Sequence, residues 1–418
     1  MKPKKFAAVY LIAFLLLAFM CLMVIFPSES LRASLKGLAI WWDVLFPALF
    51  PFFVISEMML GVGIVHFFGT LLDPMMRPVF RIPGIGGFVM AMGFAAGYPV
   101  AAKLTSQLWD QRLVNREEGE RLVAFTTSSD PLFLIGAVSV GFFHDASLAA
   151  VLAAAHYGSA VVLGLLMRFH GGKPSLAAHS AHTAHAAPQQ APSGSLLLRA
   201  FETMHQARLR DGRPLGEMLL QGIRSALQLN MVVGGLVVFF SVVMEVMTSA
   251  NIMNFCYIGI NAILHLFGVP EALSQAVANG FFEVTLGAKA AGGAGTHIPL
   301  IYKTAIAAWV LSWAGLSVHA QIVSLLQHTN LRYWPFVTAR FVHGILAATA
   351  VFVLWKPMES SRTAWAASAS VLDVSAPLST WWRYALPWGL TLLVWVLGGL
   401  LVLSVVYLIL KRCMKRLV

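Results

Sequence analysis

The sequence is poor in charged residues and in cysteine. Asp, Glu, Lys and Arg make up 11% of its 418 residues, whereas 58% of the residues are hydrophobic. Soluble domains carry about 25% charged residues, so this composition excludes a soluble protein and predicts an all-α polytopic membrane protein. The 3 cysteines lie far apart along the chain, which excludes the metal-binding or redox pair that close cysteine spacing indicates.

Catalytic signatures are missing as well. The chain has no His-Glu-x-x-His, no Gly-x-Ser-x-Gly and no Gly-x-x-x-x-Gly-Lys-Ser/Thr motif. We therefore predict that the protein is not an enzyme and has no cofactor. Its formal charge of +11 does not indicate nucleic acid, because the basic residues form short clusters between apolar runs, as the positive-inside rule expects. The predicted partner is the lipid bilayer.

Alternating apolar and basic stretches give the order of the segments. Apolar runs of about 20 residues predict about eight spans, and shorter runs broken by Gly or Pro predict re-entrant or interfacial pieces. The predicted spans are 6–26, 38–60, 121–143, 147–167, 227–249, 298–326, 335–354 and 384–410, with an interfacial helix at 61–80. The chain then divides into a first span and loop (1–37), a first repeat (38–167) with a re-entrant hairpin (84–109), a His-, Ala- and Pro-rich basic linker (168–222), a second repeat (223–355) with a hairpin (271–295), an external loop (356–383), and a last span with a basic tail (384–418).

Two segments of similar pattern recur in the two repeats. Gly93-Phe-Ala-Ala-Gly-Tyr-Pro-Val-Ala-Ala-Lys103 and Gly280-Phe-Phe-Glu-Val-Thr-Leu-Gly-Ala-Lys289 both start with Gly-Phe and end at a lysine. Each is followed, at nearly the same interval, by a polar interruption of a predicted span. Broken segments that enter from opposite faces are typical of an inverted-repeat secondary transporter, although weak similarity of this kind also arises by chance in a chain rich in Ala, Gly and Leu.

Ionisable side chains within these apolar segments predict a substrate site. Helix packing does not explain the carboxylate of Glu283, which favours a functional role. Lys103 and Lys289 occupy equivalent positions, where two ammonium groups would meet a dianion. The alternative is that each lysine reaches an interface or pairs with Glu283 or Asp130.

The hairpin tips and the interrupted spans also expose backbone amides, whose partial positive charge suits an anion. The candidate substrate-binding residues from these patterns are Gly97, Tyr98, Pro99, Lys103, Ser128, Ser129, Asp130, Glu283, Thr285, Lys289, Ser312 and Ser317. For the small residues the alternative is close helix packing, and for Asp130, which precedes a proline, it is a helix cap or break.

Histidines form two further groups. His179, His182 and His185 lie at three-residue spacing in the linker, but a flexible Ala-rich tract is weak support for a metal site, and no metal ligand is predicted. His156 and His343 lie inside predicted spans, where they suit either proton coupling or a buried imidazole with satisfied hydrogen bonds.

Four short motifs follow one another along the chain: Gly97-Tyr98-Pro99, Ser128-Ser129-Asp130-Pro131-Leu-Phe133, Glu283-Val-Thr-Leu-Gly287 and Gly315-Leu-Ser-Val-His-Ala-Gln321. In this order and spacing they resemble the YlbJ-type sporulation integral membrane proteins, a family of the nucleoside-recognition, or gate-domain, group that is distantly similar to concentrative nucleoside transporters. The resemblance covers roughly residues 6–167 and 222–410 and adds Gln321 to the candidate site.

The resemblance implies a transporter with two opposed re-entrant hairpins that moves dipicolinic acid, a small aromatic dicarboxylate, across the outer forespore membrane. In nucleoside transporters the first hairpin tip carries a Gln-Thr-Glu-type motif. Here that position reads Gly97-Tyr98-Pro99 without a carboxylate, which argues against a nucleoside and for an anion. Glu283 matches the carboxylate of the second hairpin.

Two alternatives stay open from the sequence. One is the same architecture carrying a nucleoside or another small polar metabolite, and the other is a structural membrane component of spore assembly that transports nothing. The expected location is the cytoplasmic or outer forespore membrane with both termini in the cytoplasm. The coupling ion, the direction of transport and a homo-oligomeric state are not determined by the sequence.

Overall fold

The computed structural model describes residues 3–171 and 196–359, which form helices with no β-strand among them. The predicted all-α class is confirmed for this part of the chain. The histidines 179–185, most of the predicted external loop and the last predicted span lie outside the described residues. The helices of the first half are α1 (Pro3–Ile25), α2 (Pro27–Ile40), α3 (Phe46–Val62), α4 (Ile64–Phe80), α5 (Ile85–Ala96), α6 (Tyr98–Asp110), α7 (Arg116–Thr126) and α8 (Leu148–Met167).

The second half continues the same construction of paired and broken helices. Its helices are α9 (Leu196–Asp211), α10 (Leu215–Ser249), α11 (Ile252–Leu266), α12 (Ser274–Phe282), α13 (Val284–Gly293), α14 (Leu300–Trp313), α15 (Gly315–Leu326) and α16 (Tyr333–Leu354). Three further segments have other helical windings, namely π-helices at Trp41–Leu45 and Leu132–Phe142 and a 3-10 turn at Glu271–Leu273.

Several helices have the length and apolarity of membrane spans. Within the described residues these are Leu148–Met167, Leu215–Ser249, Leu300–Leu326 and Tyr333–Leu354. Two sharply bent pairs raise the number from 4 to 6 if each pair is one span, namely Ala13–Ile25 with Pro27–Asp43 and Phe53–Val62 with Ile64–Phe80. The polytopic membrane class is therefore confirmed, while the total of about eight spans stays a prediction.

The longest helical pair is antiparallel. The stretch formed by α2, the π-helical turn and α3 packs along α10. Near its start Gly37 lies against Ser241, and one turn later the Trp41 indole donates a 3.0 Å hydrogen bond to the Asn230 carbonyl. The predicted second span, 38–60, lies within this helical stretch, and its bounds stay a prediction. The helix begins at Pro27, because proline suits the first helical turn, where its missing N–H has no intrahelical acceptor.

A left-handed glycine separates this stretch from α4. Gly63 has φ +88°, a conformation that glycine adopts without strain, and the chain bends by 78° there. The helix that follows, α4, has an apolar face whose buried residues include Val65 and Leu72. The predicted helix at 61–80 is therefore present and is three residues shorter at its start.

Part of the predicted linker, 168–222, is helical. Residues 196–211 form α9, which packs against α4, and α10 already begins at Leu215. The Thr70 and Thr203 hydroxyls are 2.8 Å apart across the α4–α9 contact, and Ala200 is fully buried. Small side chains at helical spacing allow the two helices to approach closely, a pattern that the basic composition of this segment obscured.

The remaining long helices surround the middle of the molecule. α14 packs against α16, and α16 packs against α8. The rings of Tyr302 and Phe352 meet at one end of the α14–α16 pair, and Trp309 lies against Gly344 further along, so these helices are antiparallel. The short helices α12 and α13 pack against α14, whereas α5 and α6 pack against α7.

Candidate functional site

The first helix break is formed by a glycine. Gly97 separates α5 from α6 with φ +90° and ψ −177°, a combination that is essentially restricted to glycine. Pro99 lies in the first turn of α6, where its fixed φ favours a helix start. A Cβ on Gly97 would lie 3.2 Å from the Asp130 carboxylate. This tip therefore lies against the next break in the same half.

That second break is the run of polar residues after α7. Ser128 and Ser129 are fully buried in non-helical backbone between α7 and the π-helix that begins at Leu132. The Asp130 carboxylate accepts the N–H of Phe133 at 2.8 Å. Asp130 therefore caps the helix that follows, the structural alternative that the sequence left open.

The third and fourth breaks lie side by side. Glu283 has extended backbone between α12 and α13, and its buried carboxylate accepts the Leu286 N–H at 2.7 Å. Ala314 and Gly315, between α14 and α15, have φ +75° and +76°. A Cβ on Gly315 would lie 3.0 Å from the Glu283 Cα. In each half, therefore, the hairpin tip contacts the interrupted helix of that half.

His156 on α8 joins the breaks of the two halves. Its Nε2 accepts the Ser129 N–H at 3.0 Å and lies 2.7 Å from the Ser128 hydroxyl. Because a peptide N–H only donates, Nε2 holds a lone pair and the ring proton lies on Nδ1. That nitrogen is 2.8 Å from the Ser312 hydroxyl of α14. A neutral imidazole with one defined tautomer thus links the first interrupted span to the second.

A fully buried arginine lies beside this link. Arg340 on α16 is 0% exposed, donates from Nη1 to the Thr127 carbonyl at 2.6 Å and lies over the Tyr98 ring, 5.8 Å from its centroid. Among the residues that the structure describes, no carboxylate comes within ion-pair distance of Arg340, and its Nε and Nη2 have no hydrogen-bond partner. We call these two nitrogens the open donors of Arg340.

A histidine one turn along the same helix is also incompletely bonded. His343 Nε2 lies 2.9 Å from the His156 carbonyl, which only accepts, so the proton of the neutral ring is on Nε2. Within residues 3–171 and 196–359, the buried Nδ1 of His343 has no partner. We call it the open acceptor of His343. The two imidazole rings stack with centroids 5.1 Å apart.

We refer to the four breaks together with Arg340, His156 and His343 as the polar centre. It holds most of the predicted site residues, and several more of them lie at its edge. The Tyr98 hydroxyl donates to the Leu311 carbonyl at 2.6 Å. Ser317 and Gln321 are buried on α15, and Thr285 is half-buried next to Glu283.

The two predicted lysines do not converge on the polar centre. Lys103 is half-buried on α6 and faces a small cavity whose lining includes Ser56 and Ser225. Lys289 is exposed. The two ammonium groups therefore have different surroundings: Lys103 lies beside a cavity lined by α3, α6 and α10, and Lys289 lies at the exposed surface of α13.

A polar cavity adjoins the second tip. It has a volume of about 230 Å³ between α2, α10, α11, α12 and α13. Leu286, whose N–H donates to the Glu283 carboxylate, forms part of its wall. The polar side chains of its lining are Lys36, Ser241, Glu245, Thr248, Tyr257, Gln275 and Asn279. This cavity brings water-sized space to within one helical turn of Glu283.

A second cluster of charged residues, at the start of α7, contrasts with the polar centre. Glu120 is 1% exposed and accepts hydrogen bonds from the Arg332 backbone N–H at 3.0 Å and from its guanidinium at 2.8 Å. His170 Nε2 lies 2.6 Å from the same carboxylate. Burial raises the pKa of Glu120, but the hydrogen bonds from Arg332 and His170 outweigh it and lower the pKa to about 2.

The neighbouring Arg121 is completely bonded. Its Nε and Nη2 donate to the His170 carbonyl at 2.8 and 2.6 Å, and its Nη1 donates to the Arg81 carbonyl at 2.7 Å. We refer to Glu120, Arg121, His170 and Arg332 as the Glu120 network. It joins the start of α16 to α7 and the end of α8.

Arg340 is the functional candidate that the sequence analysis missed. It lies within the predicted span 335–354, whose other polar side chains are Thr338, His343 and Thr349, and a charged residue inside a span was the available signal. The contact of His156 with both interrupted spans had no signal in the sequence, because Ser128 and Ser312 are distant along the chain.

Comparisons with known proteins give one family and one relative. A family model described as Gate, nucleoside recognition, matches residues 43–173. The sporulation integral membrane protein YlbJ of Bacillus subtilis (strain 168) is 42% identical over 339 residues, which cover 81% of this chain and 80% of that protein. No solved structure matches the chain significantly.

Proposed function

Since this chain belongs to the YlbJ family of sporulation integral membrane proteins, we propose that it is a secondary transporter that carries a small anionic metabolite across a membrane. The polar centre is the proposed substrate site. Transport alternately exposes that site to the two sides of the membrane and involves no chemical step.

The observation that carries this proposal is the buried guanidinium of Arg340 with its open donors. An unpaired charge inside a protein costs several kcal/mol (roughly 3–5 when a partner is removed), so a chain retains one where a ligand supplies the opposite charge. A guanidinium presents paired N–H groups that match a carboxylate. The start of α6 at Tyr98 and the start of α15 at Gly315 add helix N-termini near the same place.

Dipicolinic acid is the substrate that we propose to test first. It is a small aromatic dicarboxylate, and the family resemblance implies it. Its two carboxylates would use the open donors of Arg340 and the amides of the broken helices. We further propose that transport serves spore formation at the cytoplasmic or outer forespore membrane, with both termini in the cytoplasm.

We also propose that the two halves are inverted repeats with about eight spans in total. In support, Gly97 lies against Asp130 in the first half and Glu283 lies against Gly315 in the second half. The same kind of contact, hairpin tip on interrupted span, thus occurs twice. Whether copies of the chain associate is tested separately, by the mass of the purified protein.

A nucleoside is the second candidate substrate, favoured by the match of residues 43–173 to the nucleoside-recognition model. In that case Glu283 would accept hydrogen bonds from the substrate, and the buried guanidinium would have no anion to bind. The two substrates therefore depend on different residues, Glu283 for the nucleoside and Arg340 for the anion.

Uptake into proteoliposomes tests the proposal. We expect purified protein to take up labelled dipicolinate with saturation, R340M to abolish this uptake, and K289A, which removes an exposed cation, to leave it unchanged. If K289A lost uptake and R340M kept it, the predicted lysines would form the substrate site. That result would overturn the role of Arg340. Folding of each variant is checked by size-exclusion chromatography.

The same preparation separates the alternatives. The protein would be a nucleoside transporter if it took up a labelled nucleoside but no dipicolinate. In that case nucleoside uptake would be lost in E283Q and retained in R340M. Folded protein that takes up neither compound, in either orientation, would contradict transport of both and favour a structural component of spore assembly.

A further inference from the structure

The proposed substrate site contains one group that anion binding alone does not use. It is the open acceptor of His343, a buried ring nitrogen with a lone pair. The other nitrogen of this ring is held by the His156 carbonyl. A proton added to the open acceptor therefore breaks none of the hydrogen bonds of His343.

The charged neighbours of His343 decide when that proton is favourable. Arg340 lies one turn away on the same face of α16, and its positive charge repels a second positive charge on the imidazole. A bound anion beside the open donors of Arg340 cancels that charge. The first binding event then favours the second, because coupling between two sites is reciprocal.

The other titratable groups around α16 do not change this balance. From α8, His156 and Tyr157 face the site, and both are bonded to the first interrupted span. From α14, Lys303 donates to the Ala294 carbonyl at 2.7 Å near the far end of that helix, and Tyr302 packs at that end.

Two further groups complete this surrounding. On α7, Arg116 pairs with Glu117 and Glu118 caps the first turn of the helix, while the Glu120 carboxylate is bonded to Arg332 and His170. From α6, Tyr98 lies under the guanidinium of Arg340 and donates its hydroxyl proton to a backbone carbonyl. The centre also holds two carboxylates, Asp130, which accepts the Phe133 N–H, and Glu283, which accepts the Leu286 N–H. On α15, both ring nitrogens of His319 are bonded, one to the Tyr333 hydroxyl and one to the Trp313 carbonyl. Nδ1 of His343 is thus the buried ring nitrogen of the centre that has no hydrogen-bond partner within the described part of the chain.

We propose that the transporter is a proton–anion symporter and that Nδ1 of His343 carries the proton. This inference rests on the proposed function. On the side where the anion enters, Nδ1 takes a proton from a hydronium ion: one O–H bond breaks, one N–H bond forms, and a water molecule and an imidazolium result. On the other side the anion leaves and the repulsion by Arg340 returns. The N–H bond then breaks as the same proton forms an O–H bond with water, which regenerates hydronium and the neutral imidazole.

Proton-driven accumulation tests this proposal. Proteoliposomes with the wild-type protein are given an acidic outside, with the membrane potential clamped at zero and uptake by protein-free liposomes subtracted. For each coupled proton, a gradient of one pH unit supports about tenfold accumulation of the anion, which is about 1.4 kcal/mol. A trapped pH dye reports acidification of the interior as unlabelled anion enters.

The variant H343Q isolates the proton from the structural role. Glutamine keeps an N–H donor for the His156 carbonyl but cannot hold an added proton. We expect H343Q to let the anion enter down its own concentration gradient. An imposed proton gradient should not make the variant accumulate the anion. H265Q, which replaces an exposed histidine at the end of α11, keeps the wild-type response.

The outcomes distinguish this proposal from the transport proposal. Wild-type uptake that ignores the proton gradient and leaves the dye unchanged would refute symport and leave anion transport standing. If H343Q still coupled anion uptake to the proton gradient and a folded H156Q did not, the proton carrier would be His156. That result would overturn the assignment to His343. Absence of any uptake by wild-type protein would contradict the transport proposal itself, on which the symport depends.

Discussion

Two buried arginines show how differently this molecule treats the same side chain. Arg121 in the Glu120 network is 4% exposed, and all three of its nitrogens donate to backbone carbonyls. Arg340 in the polar centre is 0% exposed, and one nitrogen donates to the Thr127 carbonyl. Its open donors remain, with no partner in residues 3–171 or 196–359.

The difference separates structural from functional charge. A guanidinium whose donors are all satisfied holds chain segments together and leaves nothing for a ligand. A guanidinium with open donors contributes little to stability and keeps its binding capacity. The Glu120 network and the polar centre therefore predict opposite mutational behaviour, and the following five substitutions test that contrast.

The largest expected effect is on transport, in R340M. Methionine fills most of the volume without charge, and replacing a buried charge by an apolar side chain is often neutral or stabilising. Loss of a buried charge partner weakens binding by about 2–5 kcal/mol, so uptake at low substrate concentration falls roughly 30-fold or more. Uptake and thermal unfolding in detergent are measured together, and a large fall in stability would assign Arg340 to structure instead.

The matched substitution R121M has the opposite expected result. It leaves the His170 and Arg81 carbonyls without their charged donors, and unmade hydrogen bonds of this kind cost about 1–3 kcal/mol each. We expect the free energy of unfolding to fall by about 3 kcal/mol while uptake per folded molecule stays unchanged. Denaturant unfolding and uptake check both parts, and a normal stability would show that the Glu120 network is not structural.

The pH dependence of stability comes from Glu120 in the same network. Its pKa is about 2 in the folded protein against 4.5 for a free side chain, so its contribution is complete above pH 4.5 and is lost as the pH falls toward 2. E120Q lowers stability at neutral pH by about 2 kcal/mol, because Arg332 and His170 lose a charged acceptor. We expect the free energy of unfolding of E120Q, measured between neutral pH and pH 2, to lack this pH dependence. The same acid dependence in E120Q and in the wild-type protein would show that it does not come from Glu120.

The geometry of the polar centre is tested by G97A. The backbone at Gly97 belongs to a region that is nearly closed to alanine, with a cost of about 1–3 kcal/mol, and the added Cβ would press on Asp130. We expect lower stability together with slower uptake, because the first break moves. A variant with normal uptake and normal unfolding would show that the break is not needed.

The smallest expected effect, and one of opposite sign, is that of G158A. Gly158 is an exposed residue within α8, and a Cβ there would meet no atom of the described structure within 4 Å. Alanine favours a helix over glycine by about 0.5–1 kcal/mol, so stability rises slightly and uptake is unchanged. A decrease in stability would indicate a partner on this face of α8.

The positions of the four helix breaks were predictable from the sequence because each depends on local residues. Gly97, two residues before Pro99, predicts a turn. The polar run at Ser128 interrupts an apolar helix, and Glu283 caps the helix that follows it. The predicted interruption 312–317 likewise contains the observed break at Ala314 and Gly315. The helix α9 was not predicted, because the basic composition of its segment concealed the small residues that pack on α4.

Composition and periodicity by themselves determined that this chain is an all-α membrane protein with broken helices, since burial in lipid requires long apolar runs and internally bonded backbone. Tertiary structure alone decided which polar groups meet. Lys103 and Lys289 match in sequence but lie apart, whereas Arg340 and His156 come from different segments and lie together. Spacing along a chain fixes the rotation of a residue about its own helix, but contact between helices depends on how several of them pack.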